Sequence, residues 1–329
     1  MTTSRTSPAT GGHHVARRPE ARGISGRLTV RSCGHADTGS TDTGSTDTGS
    51  TDTSTTDTGT TTAAAVVAQV RELHRELARR TTLAPSPGSD ALFGRLVALA
   101  TDPVSARDAD AVLADPAVAA LLPDLRRLCA DGEFELERSW TRRIVGNADP
   151  RAELARFPYC GNYRDLTRLE HHTVSGVADA PVRRVLFVGS GPLPLTSLLL
   201  AQEYGCRVDN VDIDPDAAAL GAGLTAALGT PGLTFRVGDV EDDAEIDGYD
   251  LVYLAALAGL EPDAKLRLLA HLGRCLRPGT LVLARSAHAL RALLYPVLDP
   301  ESLPGLDALA VVHPYTDVVN SVVVARVRG

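Results

Sequence analysis

The sequence predicts an α/β fold in which a mainly parallel sheet follows a helical domain. Beyond residue 180, short apolar runs alternate with stretches of helical spacing, an order typical of a parallel sheet with helices on both faces. Between residues 63 and 180, apolar residues recur at helical spacing and no strong strand pattern appears,. We therefore expect a helical domain over 63–180 and a sheet domain over 181–329.

Composition is consistent with such a fold and argues against several other classes of protein. Hydrophobic residues make up 43% of the 329 residues, enough for a sizeable core. The net charge is −8 and no basic stripe is present, which argues against nucleic acid as the main partner. No apolar run reaches the roughly 18 residues of a membrane span, and no apolar segment suited to a secretory signal follows the N-terminal arginines.

The cysteines indicate a cellular location, and the composition of the first 62 residues indicates disorder. The five cysteines are scattered without a Cys-x-x-Cys pair, so we expect neither a disulfide framework nor a zinc site, and the reducing cytoplasm is the expected location. Residues 36–60 repeat Thr, Asp, Gly and Ser and cannot bury apolar surface. We expect residues 1–62 to be a disordered, low-complexity tail, solvated rather than involved in interactions.

The helical domain is predicted segment by segment. Its first helix follows from four apolar residues at helical spacing, Val66, Val70, Leu73 and Leu77,. Two prolines then interrupt the chain, and Ser89-Asp90 is expected to cap a second helix. Further helices are predicted over 105–114, 117–130, 133–145 and 161–176.

Seven strands are predicted in the second domain. They are RRVLFVG (183–189), CRVDNVDID (206–214), LTFRVGD (233–239), YDLVYLAAL (249–257), GTLVLARSA (279–287), LDALAVVHP (306–314) and VVNSVVVARV (318–327). Helices over 195–204, 215–228, 263–276 and 288–297 separate most of them. The last two strands are close enough in sequence to pair as a hairpin. Such a hairpin ends the Rossmann-like sheet of the methyltransferase type, which is the architecture we predict.

Ligands of such sheets bind at the carboxyl ends of the strands. The first strand is followed by a loop suited to close approach of a ligand, Gly189, Ser190, Gly191 and Pro192,. This loop lacks the third glycine of the dinucleotide fingerprint. Asp212 follows the second strand, where a carboxylate meets ribose hydroxyls, and Asp239 follows the third, near the expected adenine. The pattern favours an adenosine without a pyrophosphate, and hence S-adenosylmethionine over NAD.

Helix capping is the alternative role for these carboxylates. Asp214 is expected to cap the next helix. For Asp212 the position directly after the strand favours the nucleoside role.

Five segments resemble the nicotianamine synthase family. They are VGSGPLPLTS (188–197), FPYCGNYRDLTRLE (157–170), NVDIDP (210–215), RSAHALRALLYP (285–296) and HPYTDVVNSVV (313–323). The first and fourth are specific, because ordinary methyltransferases do not carry them. The resemblance covers most of 125–325, and the chain looks like a bacterial member with plant-like motifs.

The resemblance implies an S-adenosylmethionine-dependent aminocarboxypropyltransferase. Such enzymes join three S-adenosylmethionine molecules, release methylthioadenosine and close an azetidine ring, giving a metallophore. S-adenosylmethionine is then a substrate, and no metal is required. An amine must be deprotonated before it attacks the carbon beside the sulfonium, so a general base is needed. By motif position Glu137 is that base and Tyr163 orients it; without the resemblance, an exposed helix face would explain Glu137 as well.

Seven further residues are implied as substrate contacts: Tyr159, Asn162, Glu170, Arg285, His288, Arg291 and Tyr295. The two arginines follow the fifth strand and suit a bidentate carboxylate clamp. Each of these residues also has a structural alternative, such as a core aromatic, a buried histidine or a surface ion pair.

Other functions stay open on the sequence. The chain departs from the plant pattern at Cys160, at Ala289-Leu290 and at Tyr315. These departures keep a second hypothesis, in which one aminocarboxypropyl group is transferred to an amino acid such as histidine in opine-type metallophore synthesis. An ordinary methyltransferase is a third hypothesis and a nucleoside-binding regulatory module a fourth. The expected partner is a small-molecule substrate, and the oligomeric state is left open.

Overall fold

The computed structural model describes residues 62–244 and 246–329, which all belong to one compact unit. The predicted tail lies outside this range except for Thr62. The Thr62 hydroxyl accepts a hydrogen bond from the N–H of Ala65 at 3.4 Å and so caps the first helix. The domain boundary near residue 180 stays a prediction.

Six helices precede the sheet in the described part of the chain. They are α1 (Ala63–Ala78), α2 (Pro87–Thr101), α3 (Ala106–Leu113), α4 (Pro116–Val145), α5 (Pro150–Leu154) and α6 (Cys160–Val177). The cap predicted for the second helix is wrong by one turn: Ser86 caps α2 and its Oγ accepts the N–H of Ser89 at 3.2 Å. Pro87 is the first helical residue, where its missing N–H costs nothing.

Helix α4 is one continuous helix of 30 residues, although two segments separated near Gly132 were predicted. Gly132 does not end the helix, because it provides the space in which Phe93 of α2 packs against the α4 backbone. A side chain at this position would collide with the Phe93 ring. Tertiary packing therefore overrides the low helix propensity of glycine.

The sheet has seven strands in the order β3-β2-β1-β4-β5-β7-β6. They are β1 (Arg184–Val188), β2 (Arg207–Asp212), β3 (Leu233–Val237), β4 (Leu251–Leu254), β5 (Leu281–Ser286), β6 (Leu306–Val312) and β7 (Ser321–Val327). The intervening helices are α7 (Leu195–Tyr204), α8 (Pro215–Leu228) and α9 (Pro262–Cys275). Strands β1 to β5 are parallel, whereas β7 is antiparallel to both β5 and β6. The predicted Rossmann-like sheet and its terminal hairpin are confirmed.

The core has a layer on each face of the sheet and a third layer among the first helices. Alternate residues of β1 belong to opposite faces, with Leu186 packed on the α9 side and Phe187 on the α6 and α7 side,. The helical layer also contains Leu290, Leu293 and Leu294, which follow β5. This segment therefore connects the first helices to the sheet.

The segment after β5 is not the helix predicted over 288–297. Only Ala289–Leu293 form a short 3-10 helix. It begins with Ala289 at φ 51°, in the left-handed region, which is unfavourable for any residue with a Cβ. None of the helices described here is long and apolar enough to cross a membrane.

A buried ion pair joins α6 to β5. Arg285 Nε and Nη2 donate to Glu170 Oε1 and Oε2 at 2.7 and 3.0 Å, and the two side chains are 8% and 0% exposed. Arg285 Nη2 also donates to Thr196 Oγ1 of α7 at 2.7 Å. Three elements thus meet at one guanidinium group.

We expect Ala289→Gly to raise the free energy of unfolding by about 1 kcal/mol, because glycine adopts a positive φ without the Cβ clash. Urea unfolding measures the change. Ala292→Gly, at a buried position of the same segment, is the matched control and should lower stability. If Ala289→Gly is no more stable than the parent, the positive φ of Ala289 does not strain the folded chain.

We expect Glu170→Gln to lower the free energy of unfolding by about 3–5 kcal/mol, because it leaves the Arg285 charge buried without its counterion. The matched control is Glu203→Gln, which breaks an ion pair between α6 and α7 whose side chains are 53% and 38% exposed and should cost at most about 1 kcal/mol. If both variants lose the same free energy of unfolding, the buried ion pair contributes no more to stability than the exposed one.

Candidate active site

A cavity of about 1040 Å³ lies at the carboxyl ends of the parallel strands. Its walls come from the loops after β1 to β4, from α4 and from the end of β5. Among the predicted site residues, those that line it are Glu137, Tyr163, Gly189, Ser190, Gly191, Pro192, Asp212, Asp239 and Arg285. The structure thus brings together residues that are more than 100 positions apart in sequence.

The glycine loop packs directly against α4. Gly189 and Gly191 have φ values of 77° and 67°, so both need the freedom of glycine. A Cβ on Gly191 would lie 2.7 Å from Oε2 of Glu137. Ser190 Oγ is buried and has no hydrogen-bond partner among residues 62–244 and 246–329. A bound ligand would supply the partner that a buried hydroxyl needs.

The carboxylates after β2 and β3 face the same cavity. Asp212 accepts the N–H of Gly191 at 2.8 Å and that of Asp214 at 3.0 Å. A carboxylate has about four acceptor positions, so two remain for ribose hydroxyls. Asp239 accepts the N–H of Glu241 at 2.9 Å. Asp214 caps α8 as predicted, accepting the N–H of Asp216 at 2.7 Å.

Glu137 and Tyr163 form a buried hydrogen-bonded pair. Tyr163 Oη donates to Glu137 Oε1 at 2.7 Å, and Glu137 is only 7% exposed, so the alternative of an exposed helix face is wrong. Burial and the nearby Glu133 raise the pKa of Glu137 to about 8, although the Tyr163 hydrogen bond lowers it,. Burial raises the pKa of Tyr163 well above its usual value, so the phenol stays neutral and donates.

Sequence reasoning missed Glu133, one helical turn before Glu137. It lines the cavity, and Tyr295 Oη donates to its Oε2 at 2.8 Å. Burial raises the pKa of Glu133. The signal was the spacing of four residues between two glutamates, which places them on one helix face, whereas Glu135 between them is bound by Arg138 at 2.6 Å.

Lys265 of α9 was also missed. It is buried, and its Nζ donates to the carbonyl oxygens of Ala256 at 2.7 Å, Ala255 at 3.2 Å and Arg285 at 3.3 Å. Burial lowers the pKa of Lys265 to about 7. The lysine holds the end of β4 against the end of β5, where both border the cavity.

Six of the predicted substrate-binding residues lie outside the cavity walls, and the structure gives each another contact. Arg291 donates to the carbonyl oxygens of Thr316 and Val318 at 2.7 and 3.3 Å, so it holds the hairpin loop in place. The Asn162 amide donates to the carbonyl oxygen of Asp317 at 2.9 Å. For the three of them that follow β5, the cause is the short 3-10 helix, which turns this segment towards the first helices.

The other four have structural contacts of different kinds. His288 is exposed and stacks on His313 at 4.1 Å between ring centroids. Tyr159 packs edge-on against Phe157. Glu170 and Tyr295 reach the cavity indirectly, through their bonds to Arg285 and Glu133.

Within the two described ranges, no group of three or more His, Cys, Asp or Glu side chains is placed to hold a metal ion.

Comparisons with known proteins identify relatives of this chain. The sequence model of the family described as "Nicotianamine synthase protein" matches residues 59–329. Nicotianamine synthase 9 of Hordeum vulgare is 40% identical over 270 residues, which is 80% of this chain and 78% of that protein. Nicotianamine synthase 1 of Arabidopsis thaliana is 37% identical over 277 residues, or 80% of this chain and 84% of that protein.

Solved structures show the same relationship. The crystal structure of MtNAS in complex with MTA and tNA superposes with a TM-score of 0.71 at 26% identity, covering 80% of this chain and 97% of that one. A glutamate-to-glutamine mutant of MtNAS in complex with S-adenosylmethionine gives a TM-score of 0.70 at 26% identity, with 80% and 98% covered. Since the family match spans every described residue and the relatives align over most of their length, the chain belongs to the nicotianamine synthase family.

Proposed function

We propose that this chain joins the aminocarboxypropyl groups of three S-adenosylmethionine molecules into nicotianamine in this cavity, and that Glu137 is the general base. The observation that carries the proposal is the buried pair in which Tyr163 donates to Glu137 at 2.7 Å, next to the glycine loop. An S-adenosylmethionine-dependent aminocarboxypropyltransferase needs a base beside the nucleoside end of the sheet, and this carboxyl is in that place.

The glycine loop and the two aspartates support binding of the nucleoside. Asp212 retains acceptor positions for ribose hydroxyls, and Asp239 lies farther along the strand ends, where the adenine is expected,. Ser190 Oγ offers a free donor and acceptor to the methionine part. The related MtNAS mutant was solved with S-adenosylmethionine, which supports the same substrate here.

The chemistry follows from the ionised and the protonated states of the Glu137 carboxyl. An amine nitrogen attacks Cγ of the methionine part, the C–S bond breaks, and the sulfonium leaves as neutral methylthioadenosine. Each new C–N bond releases one proton from nitrogen, which Glu137 accepts. Because its pKa is raised to about 8, Glu137 is a stronger base than an ordinary glutamate. Tyr163 holds the carboxylate in place, and its oxygen accepts the amine N–H.

Arg285 supports recognition of the substrate carboxylates. Its guanidinium lies in the cavity wall and stays charged, since Glu170 raises its pKa despite burial. Glu170 and Thr196 occupy Nε and Nη2, and Nη1 is left to face a carboxylate. Arg285 thus takes the role that was predicted for a pair of arginines.

The competing hypotheses have less support. Relatives at 37–40% identity are nicotianamine synthases, so transfer of a single group to an amino acid such as histidine is not favoured. An ordinary methyltransferase does not need a buried glutamate–tyrosine pair beside the sulfonium. The four cysteines of the described residues are unpaired, which supports the proposed cytoplasmic location.

Purified protein given S-adenosylmethionine alone should release methylthioadenosine and form a product of three aminocarboxypropyl units, because donor and acceptor are the same molecule. Mass spectrometry identifies both. Methylthioadenosine released only when an amino acid is added would establish the single-transfer enzyme, and S-adenosylhomocysteine would establish a methyltransferase.

Glu137→Gln should retain S-adenosylmethionine binding while methylthioadenosine release falls by about 10²-fold or more, in the usual range for loss of a general base. Calorimetry measures binding and chromatography measures release. Glu135→Gln, on the same helix but bound by Arg138, is the control and should keep its activity. If Glu137→Gln releases methylthioadenosine at the parent rate, Glu137 is not the general base.

A further inference from the structure

We propose that Glu133 is a positioning residue for the base: its carboxylate and that of Glu137 share one proton near neutral pH, and the charge on Glu133 makes Glu137 a stronger base. This inference rests on the proposed function, because it concerns the base of that reaction. It assigns a role to a residue that sequence reasoning passed over.

The geometry of α4 places the two carboxyls side by side. Residues four apart on a helix are neighbours on one face, with Cβ atoms about 5–6 Å apart, and both side chains line the cavity. Each carboxyl accepts one phenol hydroxyl, Glu133 from Tyr295 at 2.8 Å and Glu137 from Tyr163 at 2.7 Å. The two phenols come from different elements, and Tyr163 lies close enough to Glu133 to lower its pKa by hydrogen bonding as well, so this phenol lies between the two carboxyls.

Their surroundings leave the two carboxyls without a counterion. Within residues 62–244 and 246–329, neither Glu133 nor Glu137 has a basic side chain within the 4.0 Å of an ion pair. The charged and titratable groups that face them from other elements are Tyr163 from α6, Tyr295 from the segment after β5, and Arg285 from β5. Tyr159, directly before α6, and Cys129 of α4 also lie near Glu133. Arg285 is already neutralised by Glu170.

Two carboxylates in a water-poor wall repel each other, so the pair loses its two protons in separate steps. Burial raises the pKa of both groups, and the charge on Glu133 is the second cause of the rise at Glu137. Hydrogen bonds from Tyr295 and Tyr163 lower the pKa of Glu133. We place the charge on Glu133 and the remaining proton on Glu137, because charge on Glu133 raises the pKa of Glu137.

This order matters for the reaction because the acceptor is an amine. A carboxyl of ordinary acidity is a poor proton acceptor, and a base works best when its pKa lies near the working pH. The charge on Glu133 moves Glu137 towards that value. In the wild type, the rate of methylthioadenosine release should rise with pH as Glu137 ionises, through a midpoint near its pKa of about 8.

The test is the pH dependence of methylthioadenosine release. Glu133→Gln removes the neighbouring charge, so Glu137 ionises at lower pH and the acidic limb should move down by about one unit or more. Tyr295→Phe should move it in the same direction by less, because Glu133 then holds a proton more readily. Glu135→Gln is the control and should leave the limb in place. The substrate amine titrates alike in all four proteins, so a difference between them belongs to the protein.

An acidic limb that is the same in Glu133→Gln and in the wild type overturns the proposal. If Glu133→Gln is folded but too slow to assay, infrared difference spectra supply a second measurement. The wild type at pH 7 should show a protonated-carboxyl band that disappears in both Glu133→Gln and Glu137→Gln. A band that persists in both variants also overturns the shared proton. A wild type that releases no methylthioadenosine overturns the proposed function instead, while the infrared comparison still tests the pair.

Discussion

The buried ion pair between Arg285 and Glu170 is the interaction on which the arrangement of the site depends. A guanidinium that is 8% exposed is stable there only because a carboxylate binds it through two hydrogen bonds,. Glu170 lies two turns after Tyr163 on α6, so the pair sets the position of the helix that carries the phenol. Thr196 lies at the start of α7, directly after the glycine loop. One guanidinium thus helps to position the phenol beside Glu137, the proposed base, and the glycine loop that is proposed to bind the nucleoside.

The charge in the cavity suits its substrates. The wall near the reacting centre contains two glutamates, each bound by a neutral phenol, and the substrate brings a sulfonium and an ammonium. Two carboxyls that together carry about one charge at neutral pH balance such a cation without holding it too tightly. Each transfer converts the sulfonium to a neutral thioether, so methylthioadenosine leaves a site in which it has lost its main electrostatic attraction.

The structure locates the residues at which this chain departs from the family pattern. Ala289 adopts the left-handed conformation, with φ 51°, so the turn after β5 contains local strain. Tyr315 is 96% exposed in the hairpin loop, and Cys160 begins α6. Neither Cys160 nor Tyr315 lines the cavity, so these two departures leave its shape unchanged. This agrees with relatives that are nicotianamine synthases rather than enzymes with another acceptor.

The sequence by itself determined the sheet, its terminal hairpin and the glycine loop, because strand periodicity and loop composition are local properties of the chain. The pair Glu137 and Tyr163 followed from the resemblance to the family, since an exposed helix face would otherwise explain Glu137 as well. Only the tertiary structure decided which basic side chains and which carboxylates contact each other. Arg285 lies in β5 and Arg291 shortly after it, yet Arg285 binds the carboxylate of Glu170 whereas Arg291 binds backbone carbonyls. Glu133 and Lys265 look like surface residues in sequence, but their partners lie more than 160 residues away for Glu133 and on two other strand ends for Lys265. The energy of a buried charge depends on neighbours that only the folded chain brings together.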